Sequence, residues 1–183
     1  VPFYMQEYFN KAQIVDKEGQ ARPLVAKEEK IVVTGKTPAD FVSRGITPMQ
    51  SASLLLILVA GISIYGIRRG KTLWGMDLIL FLVAGMAGCI LAFLALFSQH
   101  PAVSPNYILF VFHPFHLFCL PFMLSRVRKR EISRYMLVNF AVLTLFIGLW
   151  AIIPQRIPPA ILPLALCLLI RSASNLILTY KRK

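Results

Sequence analysis

The sequence predicts an all-α polytopic membrane protein: five transmembrane helices preceded by a short extracytoplasmic segment with some β-structure. Three observations lead there. Five apolar runs of near-membrane-crossing length follow one another, 57% of the 183 residues are hydrophobic against 15% charged, and Lys and Arg cluster at alternate ends of the runs. A soluble domain of this size has too little interior for so much apolar surface. Backbone groups cannot stay unpaired in lipid, so the runs are helices.

The runs are Met49 to Ile67, Leu73 to Phe97, Tyr107 to Leu124, Tyr135 to Ile153 and Ile161 to Tyr180. Each lies near the ~20 residues that carry a helix across a bilayer. Thr47 is placed to cap the first, with Pro48 at its first position and Gln50 completing a capping box. Ser104-Pro105 can open the third. Pro154 closes the fourth, and Pro158-Pro159 introduce the fifth. Pro114, Pro121 and Pro163 each remove a backbone hydrogen bond and are expected to bend their helices.

Charge sets the orientation. The loops after runs one and three and the C-terminal tail carry Arg68, Arg69, Lys71, Arg126, Arg128, Lys129, Arg130, Arg134 and Lys181 to Lys183, against the single acid Glu131. The opposite loops hold only Arg156. This asymmetry places the N-terminus outside and the C-terminus in the cytoplasm. The net charge of +12 is thereby a topology signal with attraction to anionic phospholipid, and nucleic acid is not an expected partner. Arg171, about two turns before the tail, is expected to snorkel to the cytoplasmic face.

Residues 1–47 form a separate region in which seven basic and six acidic residues are mixed. Ala12 to Val15 and Arg22 to Val25 flank Asp16-Lys17-Glu18-Gly19 as a hairpin would, and Ile31 to Thr34 can add a strand. So small a piece has little core of its own. The chain opens on Val1 with no signal core, which leads us to expect the C-terminal portion of a longer polypeptide. The five-helix domain occupies residues 48–183.

The densest polar group is Ser98, Gln99, His100, Asn106, His113 and His116. Asn106 and His113 are seven residues apart, two turns of a continuous helix, with His116 one turn further. Such a line faces other helices or a cavity, because polar groups in hydrocarbon need partners. Interhelical hydrogen bonding, a lipid headgroup or acyl-chain site, and proton or solute passage all fit His100, Asn106, His113 and His116. Three histidines without nearby intramembrane acids make a poor metal set, so neither metal nor cofactor is expected. Cys89, Cys119 and Cys167 read as packing residues, although Cys119 can share a helix face with His116.

Asp77 is the one acid inside the apolar runs, with Arg68, Arg69 or a basic residue of the next inner loop as its expected partner. Asn139, Ser172, Ser174 and Asn175 can join helices through side-chain bonds, and Gly85 and Gly88 let another helix approach closely. Phosphate loops, dinucleotide fingerprints and paired carboxylates are missing from the sequence.

The succession Trp74-Gly75-Met76-Asp77, Gly85-Met86-Ala87-Gly88, Ser98-Gln99-His100-Pro101, Asn106 and Pro114-Phe115-His116 resembles the five-helix transmembrane region of bacterial proteins with an Lnb-type periplasmic domain. Arg22-Pro23-Leu24-Val25 resembles the end of that domain. The resemblance implies a Cys-His catalytic domain upstream of Val1, engaged in moving an acyl chain within a lipoprotein substrate. His100, Asn106 and His116 would then contact lipid or brace the upstream domain, with acyl chains guided between helices two and three. The alternative is a non-catalytic structural or binding subunit of an envelope complex.

Overall fold

The computed structural model describes residues 8–15, 19–25, 45–98 and 106–181. It divides into two compact units, residues 1–45 and 46–183. In the first, a helical turn at residues 8–11 leads into an antiparallel hairpin of β1 (Gln13–Val15) and β2 (Ala21–Pro23), with Ile14 opposite Arg22. Gly19 takes φ +81° in the connection, which glycine tolerates without strain. The hairpin is thus where the turn residues put it, while Ile31 to Thr34 lies outside the described residues.

The second unit is helical. Helix α1 (Pro48–Arg69) starts at the expected cap: the Thr47 hydroxyl accepts from the Gln50 amide at 3.2 Å, and the Gln50 carboxamide accepts from the Thr47 amide at 2.9 Å. Helix α2 is Trp74–Phe97 and α6 is Ile161–Tyr180. These three are long and apolar enough to cross a membrane. Pro163 does not interrupt α6, because it falls in the first turn, where its missing N–H has no intrahelical partner to lose.

The third run is not the continuous helix that its apolar length suggests. A 3₁₀ turn (Tyr107–Phe110) is followed by the short helix α3 (Phe115–Phe118) and then by α4 (Leu120–Lys129), with a bend of 78° between the two halves. Pro114 cannot supply the N–H that the Phe110 carbonyl would receive in a helix, nor Pro121 that for Leu117. The run therefore breaks, and its far half continues beyond Leu124 to Lys129.

The fourth run is also shorter than expected. Helix α5 (Arg134–Gly148), capped by Ser133, gives way to a 3₁₀ turn at Trp150–Ile152 before Pro154. Fifteen residues make a helix of only ~22 Å, so the turn and the following extended residues complete a crossing of ~30 Å.

Helix α6 packs against α1 and α5, while α2 packs against α3 and α4. Half of the most apolar window of α6 is buried, against 22% for α1 and α2, which makes it the inner helix. Its buried residues include Arg171, Ser172, Ser174, Asn175 and Thr179. Outward faces carry instead Leu54, Ile57, Ile79, Met86 and Phe122, all exposed. A membrane bundle needs its apolar residues on the outside and tolerates small and polar ones within.

At the basic end two loops are clasped together. Both α1 and α4 finish in a left-handed residue, Gly70 at φ +61° and Arg130 at φ +53°. The Arg130 guanidinium donates to the Gly70 carbonyl, which offsets the roughly 1–2 kcal/mol that a side-chain-bearing residue loses in this conformation. Arg128 lies over the Trp74 ring, 4.8 Å from its centre.

Candidate functional site

Among the described residues, two polar centres lie inside the bundle. The first is built on Asp77, which is fully buried near the start of α2. Arg171 of α6 donates from Nε to Oδ1 at 2.7 Å and from Nη2 to Oδ2 at 3.1 Å. Its Nη1 donates to Ser63 Oγ of α1 at 2.9 Å, and Asn175 Nδ2 donates to Asp77 Oδ2 at 3.0 Å. The carboxylate thus receives three hydrogen bonds, and the first, second and last long helices are tied at one point. The partner is therefore neither Arg68, Arg69 nor a residue of the next inner loop. Nor does Arg171 snorkel outward: it is 1% exposed, because an acid at reach inside the bundle offers it a bidentate partner that the membrane surface does not.

Asn139 of α5 adds a fourth helix by donating to Ser172 Oγ at 2.9 Å. Both structural asparagines, Asn139 and Asn175, are therefore used between helices. Asn139 Oδ1, Asn175 Oδ1 and Ser174 Oγ are buried without a hydrogen-bond partner among the described residues.

The second centre follows from the break in the third run. In an unbroken helix the Val111 carbonyl would accept from the Phe115 amide. Here His116 Nε2 donates to it at 2.8 Å, and its other nitrogen, Nδ1, lies 2.6 Å from the Tyr135 hydroxyl. A carbonyl only accepts, so the proton sits on Nε2 and Tyr135 donates to Nδ1. Phe81 meets the His116 ring edge-on at 5.2 Å, and His113 stacks on it at 3.9 Å. Both His116 nitrogens are taken, which leaves none for Cys119; that thiol lies instead on a cavity between α4 and α5.

The expected line from Asn106 through His113 to His116 presupposes a continuous helix and dissolves with it. Asn106 caps the 3₁₀ turn by accepting from the Ile108 amide at 3.2 Å, and the neighbouring Tyr107 amide donates to Gln155 Oε1 at 2.7 Å. His113 and His116 meet because the chain turns at Pro114. Gln99 and His100 lie outside the described residues, as does the expected cap at Ser104-Pro105. Tyr135 escapes a reading of the sequence, where it follows Arg134 and looks like one more interfacial aromatic. Ser63 likewise carries no signal in an apolar run.

The glycines bring α2 onto the third run. A Cβ on Gly85 would fall 2.5 Å from the Leu117 nitrogen, and one on Gly88 would fall 2.5 Å from the His113 carbonyl carbon. Away from the basic loops, a wholly apolar groove of about 330 Å³ lies between the 3₁₀ turn and α5, bordered by Tyr107, Phe110, Leu145 and Leu149.

The pairings at His116 make a direct prediction. Tyr135→Phe strands His116 Nδ1 in a buried site and should cost about 1–3 kcal/mol. His113→Phe keeps an aromatic ring against His116 and should cost less. Unfolding of the purified variants in mild detergent measures both, and equal losses would contradict the assignment.

A bundle of apolar helices joined internally by polar side chains defines an integral membrane domain with five membrane runs. The family model for the Lnb transmembrane domain matches residues 40–183, and the chain belongs to that family. No curated protein and no solved structure matches it.

Proposed function

We propose that this chain is the membrane domain of a lipoprotein-processing, acyl-transferring protein of the Lnb type, holding a catalytic domain at the outer face of a bacterial inner membrane. In this reading the N-terminal unit leads into that domain and the basic loops face the cytoplasm. The domain's partners are membrane phospholipid and the lipoprotein substrate. Family membership supports the membrane role. The apolar groove supports the lipid role, since Tyr107, Phe110, Leu145 and Leu149 offer an acyl chain a largely aromatic and aliphatic bed. The guiding path then runs between the third and fourth runs, because the backbone contacts at Gly85 and Gly88 leave no room between the second and third.

Filling the groove tests this. Leu149→Trp in the full-length protein should lower acyl transfer to lipoprotein roughly 10- to 100-fold, as expected when a substrate is misplaced by about an ångström. Ile57→Trp, on the exposed face of α1, should not. The readout is the acylation state of cellular lipoproteins by mass spectrometry, at equal amounts of inserted protein. Unchanged acylation in both variants would favour the non-catalytic subunit of an envelope complex.

A further inference from the structure

The basic residues at the α4–α5 end do not all do the same thing. Arg128 is spent on Trp74 and Arg130 on Gly70. Arg126, Lys129 and Arg134 border a cleft of about 1230 Å³ between α4 and α5, where Arg126 pairs with Glu131. Topology requires only that positive charge lie in this loop. It does not require three cations to converge on one cavity, nor does it account for the apolar wall that Phe122 and Met123 add.

We infer that this cleft binds the headgroup of an anionic phospholipid from the leaflet on the basic side of the membrane. Three cations and the lone carboxylate of Glu131 leave the lining with a net charge of +2. Helix α5 begins at the cleft with no acidic residue in its first turn, so its amide dipole adds to the positive potential. Ser133, whose hydroxyl oxygen accepts from the Met136 amide, keeps its O–H to donate to a phosphate or glycerol oxygen. Phe122 is 78% exposed beside the cations, where an acyl chain attached to the bound headgroup would lie. Basic pockets between helices at this level suit headgroups with two phosphates, whose charge matches the lining. The site is at the opposite end of the bundle from the acyl groove and stands or falls independently of the acyl-transfer reading.

Glu131 supplies the sharpest test. Its carboxylate holds Arg126 at 2.7 Å, in a pair whose side chains are 61% and 43% exposed. Such a pair adds little to stability, so a phosphate can compete for the same guanidinium. The purified chain, stripped of lipid in detergent, is placed in nanodiscs of phosphatidylcholine with a minor fraction of either phosphatidylglycerol or cardiolipin. Retained lipid is then counted by native mass spectrometry.

The expected result is retention of both anionic lipids, cardiolipin more strongly. Retention should fall about tenfold in the Lys129→Gln/Arg134→Gln variant, the equivalent of ~1.4 kcal/mol. It should persist in Lys129→Arg/Arg134→Lys, and it should rise in Glu131→Gln, a gain that misfolding does not produce. Arg68→Gln/Arg69→Gln serves as the control for loop charge outside the cleft. Equal loss in that control, or no gain in Glu131→Gln, overturns the proposal. Displacement of the lipid by millimolar inorganic phosphate, on the order of a weak free-anion affinity, overturns the lipid as its source.

Discussion

Removing the acid at the centre of the bundle should all but abolish folded protein. Asp77→Leu leaves the Arg171 guanidinium buried at 1% exposure without its counter-charge, a situation that costs about 3–5 kcal/mol in protein interiors. Total stabilities of ~5–15 kcal/mol leave little margin after such a loss. Arg171→Met should be comparably damaging, since it strands the carboxylate. The double variant Asp77→Leu/Arg171→Met should recover much of the deficit, because replacing a buried ion pair with apolar residues is often neutral or favourable. Folded monomer remaining after heating in mild detergent measures all three. A double-mutant cycle with no coupling between the positions would refute the pairing.

The second large effect is steric. Gly88→Ala adds one carbon atom, yet that atom would fall 2.5 Å from one backbone atom of His113 and 2.8 Å from another. Backbone cannot swing aside as a side-chain tip can, so the third run must shift, at a cost of about 1–3 kcal/mol. Gly85→Ala meets the Leu117 backbone in the same way. Gly61 and Gly75 face open space, and alanine there should be neutral or slightly stabilising through helix propensity. Thermal midpoints in detergent should separate the two pairs. If Gly88→Ala and Gly61→Ala behave alike, the close approach is wrong.

What could be read from the sequence was what the solvent imposes. Lipid demands apolar residues in long runs, so the five runs were visible, as was the cap at Thr47, whose chemistry is entirely local. The close approach at Gly85 and Gly88 was also legible, because only small residues permit it. The partner of Asp77 was not. It lies on the last helix, and in a membrane both the buried and the outward faces of a helix are apolar, so hydrophobic periodicity does not tell which way Arg171 points. The third run shows the same limit. Pro114 and Pro121 announced a disturbance, but the outcome depended on His116 accepting the duty of an amide to satisfy Val111, and on Tyr135 closing the other side of that ring. His113 and His116 stand out as polar residues in an apolar run, but the two-turn helical spacing from Asn106 to His113 is one that the chain does not keep.

The ion pair has a consequence for how the molecule is made. Asp77 and Arg171 are separated by 94 residues. At synthesis rates of about 5–20 residues per second, roughly 5–20 s pass between their appearances. During that interval α2 carries a carboxylate with no counter-charge, and only the arrival of the final helix conceals it. A chain that stops before α6 lacks that counter-charge, so the pair that locks the bundle cannot form until the last helix is made.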